Sequence, residues 1–134
     1  PKKIFMGEKD FQQLFLVKKY IEKKYRSKII ACKTIRDQHG LALSSRNLNI
    51  EKKGLIIASK FTRDLINFKR NFRLKKNIKK IINSKKNILS RFYNIKIEYL
   101  ELRKKSNLSN STKIKNSNLF FAYYINNIRL IDNV

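Results

Sequence analysis

With 134 residues, 42% of them hydrophobic, the chain is long enough to bury the core of one ordinary domain, and its recurrent Ile, Phe and Tyr exclude the composition of a fully disordered segment. No apolar run approaches the roughly 20 residues of a membrane-spanning helix; the first twenty residues hold no uninterrupted hydrophobic region of signal-peptide type. The lone cysteine excludes an internal disulfide and a multi-cysteine metal site and fits a reducing cytoplasm, while 33 basic residues against 9 acidic ones give a formal charge of +24, which brings a polyanionic partner into question.

The chain opens at Pro1 without an initiator Met and enters a strand almost at once, which points to a piece of a longer chain. Lys3 to Met6 is short, apolar at its centre and stopped by Gly7, as a buried parallel strand would be. Asp10 then stands where a helix cap belongs, and Phe11, Leu14, Phe15, Ile21 and Tyr25 follow at a period near 3.6 residues. Lys28 to Cys32 returns as a second β-rich run, in which Cys32 reads as a buried, inert thiol. Strand, helix and strand in this order make a βαβ unit. Ligands of such units sit beyond the carboxyl ends of the strands, so the segments from Gly7 to Asp10 and from Thr34 to Asn47 are the places to look for chemistry.

From about Ile50 the pattern changes to two amphipathic helices, one carrying Leu55, Phe61, Leu65, Phe68 and Phe72, the other Ile78, Ile81, Ile82, Ile88, Leu89 and Phe92. The densest basic cluster, Lys75, Lys76, Lys79, Lys80, Lys85 and Lys86, falls at helical spacing around the second stripe and reads as its wet face. No aromatic residue is interleaved with those lysines to stack on bases, so a nucleic-acid partner is disfavoured. Basic residues outnumber acidic ones twelve to four in residues 1–50 and twenty-one to five in residues 51–134, mostly as Lys amid abundant Asn and Ile. Two readings of the charge stay open: a solvated surface shaped by an A/T-rich coding sequence, or a basic RNA-binding module. Beyond it, Ile95 to Tyr99 alternates as a half-exposed strand, Lys104 to Asn118 reads as a mobile Ser/Asn/Lys-rich loop, and Leu119 to Ile125 with Ile128 to Ile131 flanks Asn126-Asn127 as a hairpin. The expected fold is α/β, a βαβ portion of a Rossmann-like nucleotide-binding domain in residues 1–47 followed by a small α+β domain with two helices and a short antiparallel sheet in residues 48–134.

Lys9 lies at a helix start, where free N–H groups and the helix dipole already favour negative charge, so a cation there makes most sense beside a phosphate. Ser44, Ser45 and Arg46 place two hydroxyls and a forked guanidinium in sequence, a set suited to several oxygens of a triphosphate, although the same letters also make an ordinary turn. Asp10 serves equally as a cap or as an acceptor for a sugar hydroxyl, and Gln13 as a solvated side chain or as a holder of a polar substrate group. His39 is the only histidine, with no second His, no Cys partner and no obvious carboxylate triad to make it a metal ligand or part of a nucleophilic site. No Walker-type loop and no Gly-x-Gly-x-x-Gly run is present.

Three segments together resemble the pantoate-β-alanine ligase family: Gly7-Glu8-Lys9-Asp10-Phe11-Gln12-Gln13-Leu14, then Lys33-Thr34-Ile35-Arg36 leading into Gly40-Leu41-Ala42-Leu43-Ser44-Ser45-Arg46-Asn47, and the ending Arg129-Leu130-Ile131-Asp132-Asn133. The likeness runs in order over nearly the whole chain and fits the C-terminal half of that family, departing from its pattern at Met6, where Phe is usual, and at His39, where an acidic residue is common. It implies that ATP and pantoate form pantoyl adenylate and pyrophosphate with Mg2+, after which β-alanine attacks the acyl carbon and releases pantothenate and AMP. By position, Lys9, Ser44, Ser45 and Arg46 would hold the phosphates, Gly7 and Asp10 the ribose side, Gln13 pantoate, and Ile35 and Leu43 the border of the adenine. The Ser-Ser-Arg segment corresponds to the Lys-Met-Ser-Lys-Ser loop of the wider nucleotidylyltransferase and class I aminoacyl-tRNA synthetase group, so another adenylate-forming nucleotidyltransferase is the competing enzymatic reading. The family's other phosphate motif, a second pantoate-binding Gln and the Mg2+ ligand have no counterpart here, so the resemblance implies an incomplete ligase, inactive alone, from a cytoplasmic homodimer.

Overall fold

The computed structural model describes residues 1–73 and 76–134. Its backbone divides into two compact units, Pro1–Ile35 and Arg36–Val134. Lys75 of the basic cluster lies outside the described residues.

In the first unit, strands β1 (Lys3–Gly7) and β2 (Lys28–Cys32) pair in parallel, from Lys3 opposite Lys28 to Gly7 opposite Cys32. Parallel neighbours need a long crossover, and helix α1 (Phe11–Tyr25) supplies it after a 3-10 turn over Glu8–Asp10. α1 buries Leu14 and ends at Arg26, whose φ of 50° turns the chain toward β2. The return is fastened by the Ser27 hydroxyl, which donates to the Pro1 carbonyl at 2.7 Å, and by the Ile29 amide, which donates to Glu22 Oε1 at 2.8 Å. Two expectations are corrected here. β1 is a strand but is not buried on both faces: a single helix covers one side, so alternation turns Ile4 and Met6 partly inward and leaves Phe5 66% exposed. Cys32, expected to be buried, is exposed, because it is the last residue of β2 at the open end of the sheet.

The second unit packs two helices, α2 (Lys52–Arg70) and α3 (Ile78–Tyr93), on an antiparallel sheet of β3 (Lys96–Lys104), β4 (Ser117–Ile125) and β5 (Ile128–Asn133), with β4 in the middle. Being central, β4 is buried almost continuously, whereas β3 alternates on either side of a register shift between Ile97 and Tyr99 that leaves Ile97 and Leu100 both buried. Phe61 of α2 sits among Tyr93, Phe121 and Tyr123, with ring centroids at 6.0, 5.8 and 4.5 Å. α2 approaches the sheet closely at Gly54, where an added Cβ would stand 2.7 Å from a methyl of Ile125 and 2.8 Å from one of Ile50. The β4–β5 hairpin closes on Asn126-Asn127 with Asn126 at φ 52°.

Of the α3 stripe, Ile78, Ile82 and Leu89 are buried, but Ile88 and Phe92 are 57% and 75% exposed. Ile88 lies about 100° around the helix from the buried row, and Phe92 rests edge-on against Tyr93. The segment expected as a loop from Lys104 to Asn118 connects β3 to β4, and hydrogen bonds tie it to both strands. β3 pairs with β4 through Lys104 opposite Ser117, the Lys105 amide donates to the Asn116 carbonyl, the Ser111 amide donates to the Leu102 carbonyl, and the buried Ser117 hydroxyl donates to Ser111 Oγ at 2.7 Å. Its many Ser and Asn side chains, which signal a loop locally, serve here as backbone partners. Among the described residues no helix is long and apolar enough to cross a membrane.

Candidate functional site

The level register of β1 and β2 brings Gly7 and Cys32 side by side, so the turn from Gly7 to Asp10 and the segment from Lys33 to Ile35 leave the sheet at one end. This is the carboxyl end, where α/β sheets hold ligands. Lys9 and Asp10 lie in the 3-10 turn ahead of α1, and Asp10 occupies the helix N-cap position without a side-chain cap bond. Its carboxylate is exposed, as is the side chain of Gln13 in the first turn of α1; Ile35 presents 72% of its surface. The first unit thus gathers Gly7, Lys9, Asp10, Gln13 and Ile35 around the beginning of α1 and the end of β2.

In the second unit, residues 36–49 form a loop braced from several sides. Arg36 and Ala42 make an antiparallel bridge around a tight turn in which Asp37 Oδ1 accepts the amides of His39 and Leu41 at 2.8 and 2.9 Å. Gly40 takes φ 89°, a conformation in which a side chain would be strained. Leu41 and Ala42 plug into the core while Leu43 turns outward, 54% exposed. The Ser44 hydroxyl accepts the Arg46 amide at 3.2 Å and so caps the 3-10 turn Ser45–Asn49. Ser45 and Arg46 remain exposed, with Arg46 Nη1 3.5 Å from the Arg129 carbonyl. Asn47 donates its amide to the Ala42 carbonyl at 3.1 Å, while its Oδ1 is buried with no partner. The loop therefore offers two hydroxyls and a guanidinium on an anchored base, a donor set that matches phosphate oxygens.

Three polar features of this unit escaped the sequence. Arg36 is bidentate to Asp132, Nη1 to Oδ2 at 2.6 Å and Nη2 to Oδ1 at 3.0 Å, across 96 residues of chain. Arg129 grips Glu98 at 2.7 and 2.9 Å and holds that carboxyl below the usual glutamate range. Burial, and then the hydrogen bond and charge of Asp64, push the Tyr93 phenol up to about 12. No local pattern announces such pairs, although Arg36, Arg129 and Asp132 all stand in segments that carried the resemblance. His39 is exposed, its ring 3.2 Å from the Gln38 amide. Among the described residues no cluster of three or more His, Cys, Asp or Glu is placed to hold a metal ion.

The family model for pantoate-β-alanine ligase matches residues 1–134. A pantothenate synthetase of Cytophaga hutchinsonii is 31% identical over 139 aligned residues, covering 100% of this chain and 49% of its own, and one of Clostridium botulinum is 38% identical, covering 99% and 48%. The crystal structure of pantoate-β-alanine ligase from Francisella tularensis, complexed with β,γ ATP and β-alanine, superposes with a TM-score of 0.70 at 31% identity, over 100% of this chain and 43% of that one. Pantothenate synthetase from Thermus thermophilus shares the fold, with a TM-score of 0.86 at 24% identity over 100% and 49%. The chain spans about half the length of the curated relatives it matches.

Proposed function

Because this chain belongs to the pantoate-β-alanine ligase family, we propose that it supplies one part of the site at which ATP activates pantoate and β-alanine captures the product. The pantoate carboxylate attacks the α-phosphorus and pyrophosphate leaves; the β-alanine amine then attacks the acyl carbon, AMP leaves, and pantothenate results. Both steps load charge onto phosphate oxygens, and preorganised donors aimed at that charge are the main way a protein accelerates them. Lys9, Ser44, Ser45 and Arg46 are those donors, Gly7 and Asp10 contact the ribose side, and Ile35 and Leu43 flank the adenine with their exposed apolar surface. Gln13 takes a polar group of pantoate. Mg2+ would arrive with the ATP phosphates, where it would neutralise their charge, and find its protein ligand outside this chain.

On this reading residues 1–47 serve the nucleotide and pantoate, and residues 48–134 form a small lid. The full-length protein is a cytoplasmic homodimer, as the resemblance implies. The observation that carries the proposal is the family match across all 134 residues, supported by the level β1–β2 register that ends with Gly7 opposite Cys32, so that the segments after both leave the same end of the sheet.

The test is pantoate-dependent ATP–pyrophosphate exchange in the full-length protein containing this chain. Lys9→Ala lowers the exchange rate about 100-fold, the scale of losing one preorganised charge-stabilising donor. A wild-type rate in that variant rejects the role. The 134-residue chain alone forms no pantothenate from the three substrates, and turnover by it alone defeats the half-site reading.

A further inference from the structure

Arg36 and Asp132 stand in two of the resemblance segments, yet neither has a place in the chemistry just described. Their geometry singles them out. The Arg36 guanidinium spans both oxygens of Asp132 at 2.6 and 3.0 Å and also donates to the carbonyls of Gly40 and Asn133, each at 3.1 Å. The Asp132 side chain is only 4% exposed, against 22% for Arg36, and Asp132 Oδ1 further accepts the Asn133 amide at 2.8 Å. A forked pair of this kind fixes orientation as well as distance. It ties the residue that opens the 36–49 loop, and the Gly40 turn within it, to the last strand of the sheet. Further along, Asn47 reaches back to Ala42, and Arg46 leans toward the Arg129 carbonyl on that same strand. Leu43, Ser44, Ser45 and Arg46 are thereby suspended between two attachments to the second unit's own core.

We propose that Arg36 and Asp132 are positioning residues for adenylation, holding Ser44, Ser45 and Arg46 where the developing phosphate charge appears. This rests on the reading that the loop grips a polyphosphate. The pair touches no substrate; it acts through the loop. Donors displaced by an ångström still attract ATP but no longer match the transition state, so its loss slows the step more than it weakens binding.

In the full-length protein, pantoate-dependent ATP–pyrophosphate exchange with Arg36→Ala gives a kcat lower by about 100-fold, the cost of misplacing groups by an ångström. The KM for ATP stays within about threefold. Asp132→Asn, which keeps the side-chain shape, gives the same pattern at about tenfold, and Arg36→Lys, which restores the charge without the fork, recovers part of the rate. Thermal melting of each variant accompanies the kinetics. Should Arg36→Ala fail to fold, Asp132→Asn and Arg36→Lys decide the matter. Folded variants with wild-type kcat, or a loss confined to KM, overturn the positioning role. Arg46→Ala and Ser45→Ala serve as the separate check: wild-type kcat in both removes the loop from the phosphate site and leaves Arg36 and Asp132 with nothing to position.

Discussion

The two units hide very different amounts of apolar surface. Among the described residues, Pro1–Ile35 buries Leu14, Ile29 and the hydroxyl residue Ser27, while Phe5, Leu16, Tyr20, Tyr25 and Ile35 are between 50% and 72% exposed. Arg36–Val134 encloses a continuous cluster running from Leu41 and Ile50 through Phe61 and Leu65 to Leu119, Phe121, Tyr123 and Leu130. Burying one large side chain contributes about 1.5–3 kcal/mol, so the second unit has the means of independent stability, whereas a unit as short as Pro1–Ile35 with so few buried side chains is marginal. The residues proposed for the nucleotide and pantoate fall in both, Gly7, Lys9, Asp10, Gln13 and Ile35 in the first and Leu43, Ser44, Ser45 and Arg46 in the second.

The strongest way to break this contrast is to remove the ring at its centre. Phe61→Ala in the second unit costs about 3–5 kcal/mol, since the void cannot close among Tyr93, Phe121 and Tyr123. Phe5→Ala, at a site 66% exposed, costs less than about 0.5 kcal/mol. Urea unfolding followed by near-UV circular dichroism reads both; equal effects at the two positions would erase the distinction between the units.

Gly54 gives a smaller and more discriminating test, because helix propensity and packing disagree in sign. Gly54 is the third residue of α2, in its first turn, where an alanine is favoured over glycine by at most about 1 kcal/mol, yet its methyl would stand 2.7 Å from Ile125 Cγ2 and 2.8 Å from Ile50 Cγ2. Both neighbours are buried and β-branched, so their Cγ methyls cannot swing aside. Overpacking of this kind costs about 1–3 kcal/mol, and Gly54→Ala therefore destabilises by about 1 kcal/mol net. A rise in the urea midpoint would show a looser α2–sheet seam than the contacts imply.

What was legible in the sequence follows the same divide. The period-3.6 stripes found α2 and α3, and Asn126-Asn127 marked the hairpin, because amphipathic spacing and positive-φ tolerance are local signals. Burial in the first unit was misjudged at Phe5 and Cys32: an apolar strand looks the same whether one face is covered or two. The loop between β3 and β4 was legible from its Ser and Asn residues, but its bonds to distant residues, such as the Ser111 amide to the Leu102 carbonyl and the Ser117 hydroxyl to Ser111 Oγ, were not. At the site, the donor set of Ser44, Ser45 and Arg46 was visible as letters, but the Arg36–Asp132 fork that braces it joins residues 96 apart in sequence. Pairing at that range leaves no trace in spacing.

The finest test of the second unit's core is its alkaline limb. Tyr93 donates to Asp64 Oδ2 at 2.6 Å, and burial, followed by that bond and the Asp64 charge, pushes its phenol up to about 12. An unfolded tyrosine ionises near 10. The folded value is the higher of the two, so the neutral phenol's contribution is complete below about pH 10 and is lost as pH rises toward 12. Tyr123, buried more deeply, is shifted the same way and adds to the same loss. With a formal charge of +24, lysine deprotonation over this interval also relieves repulsion, which would mask the tyrosine effect in a single protein. Comparison with Tyr93→Phe cancels that background. The variant is the less stable at pH 8, lacking the bond to Asp64, and falls less steeply between pH 10 and 12, so the two stability curves converge. Urea midpoints across that range measure the gap. Parallel curves would mean that Tyr93 ionises as freely in the folded unit as in the unfolded chain, and that the Asp64 contact leaves the edge of this core open to water.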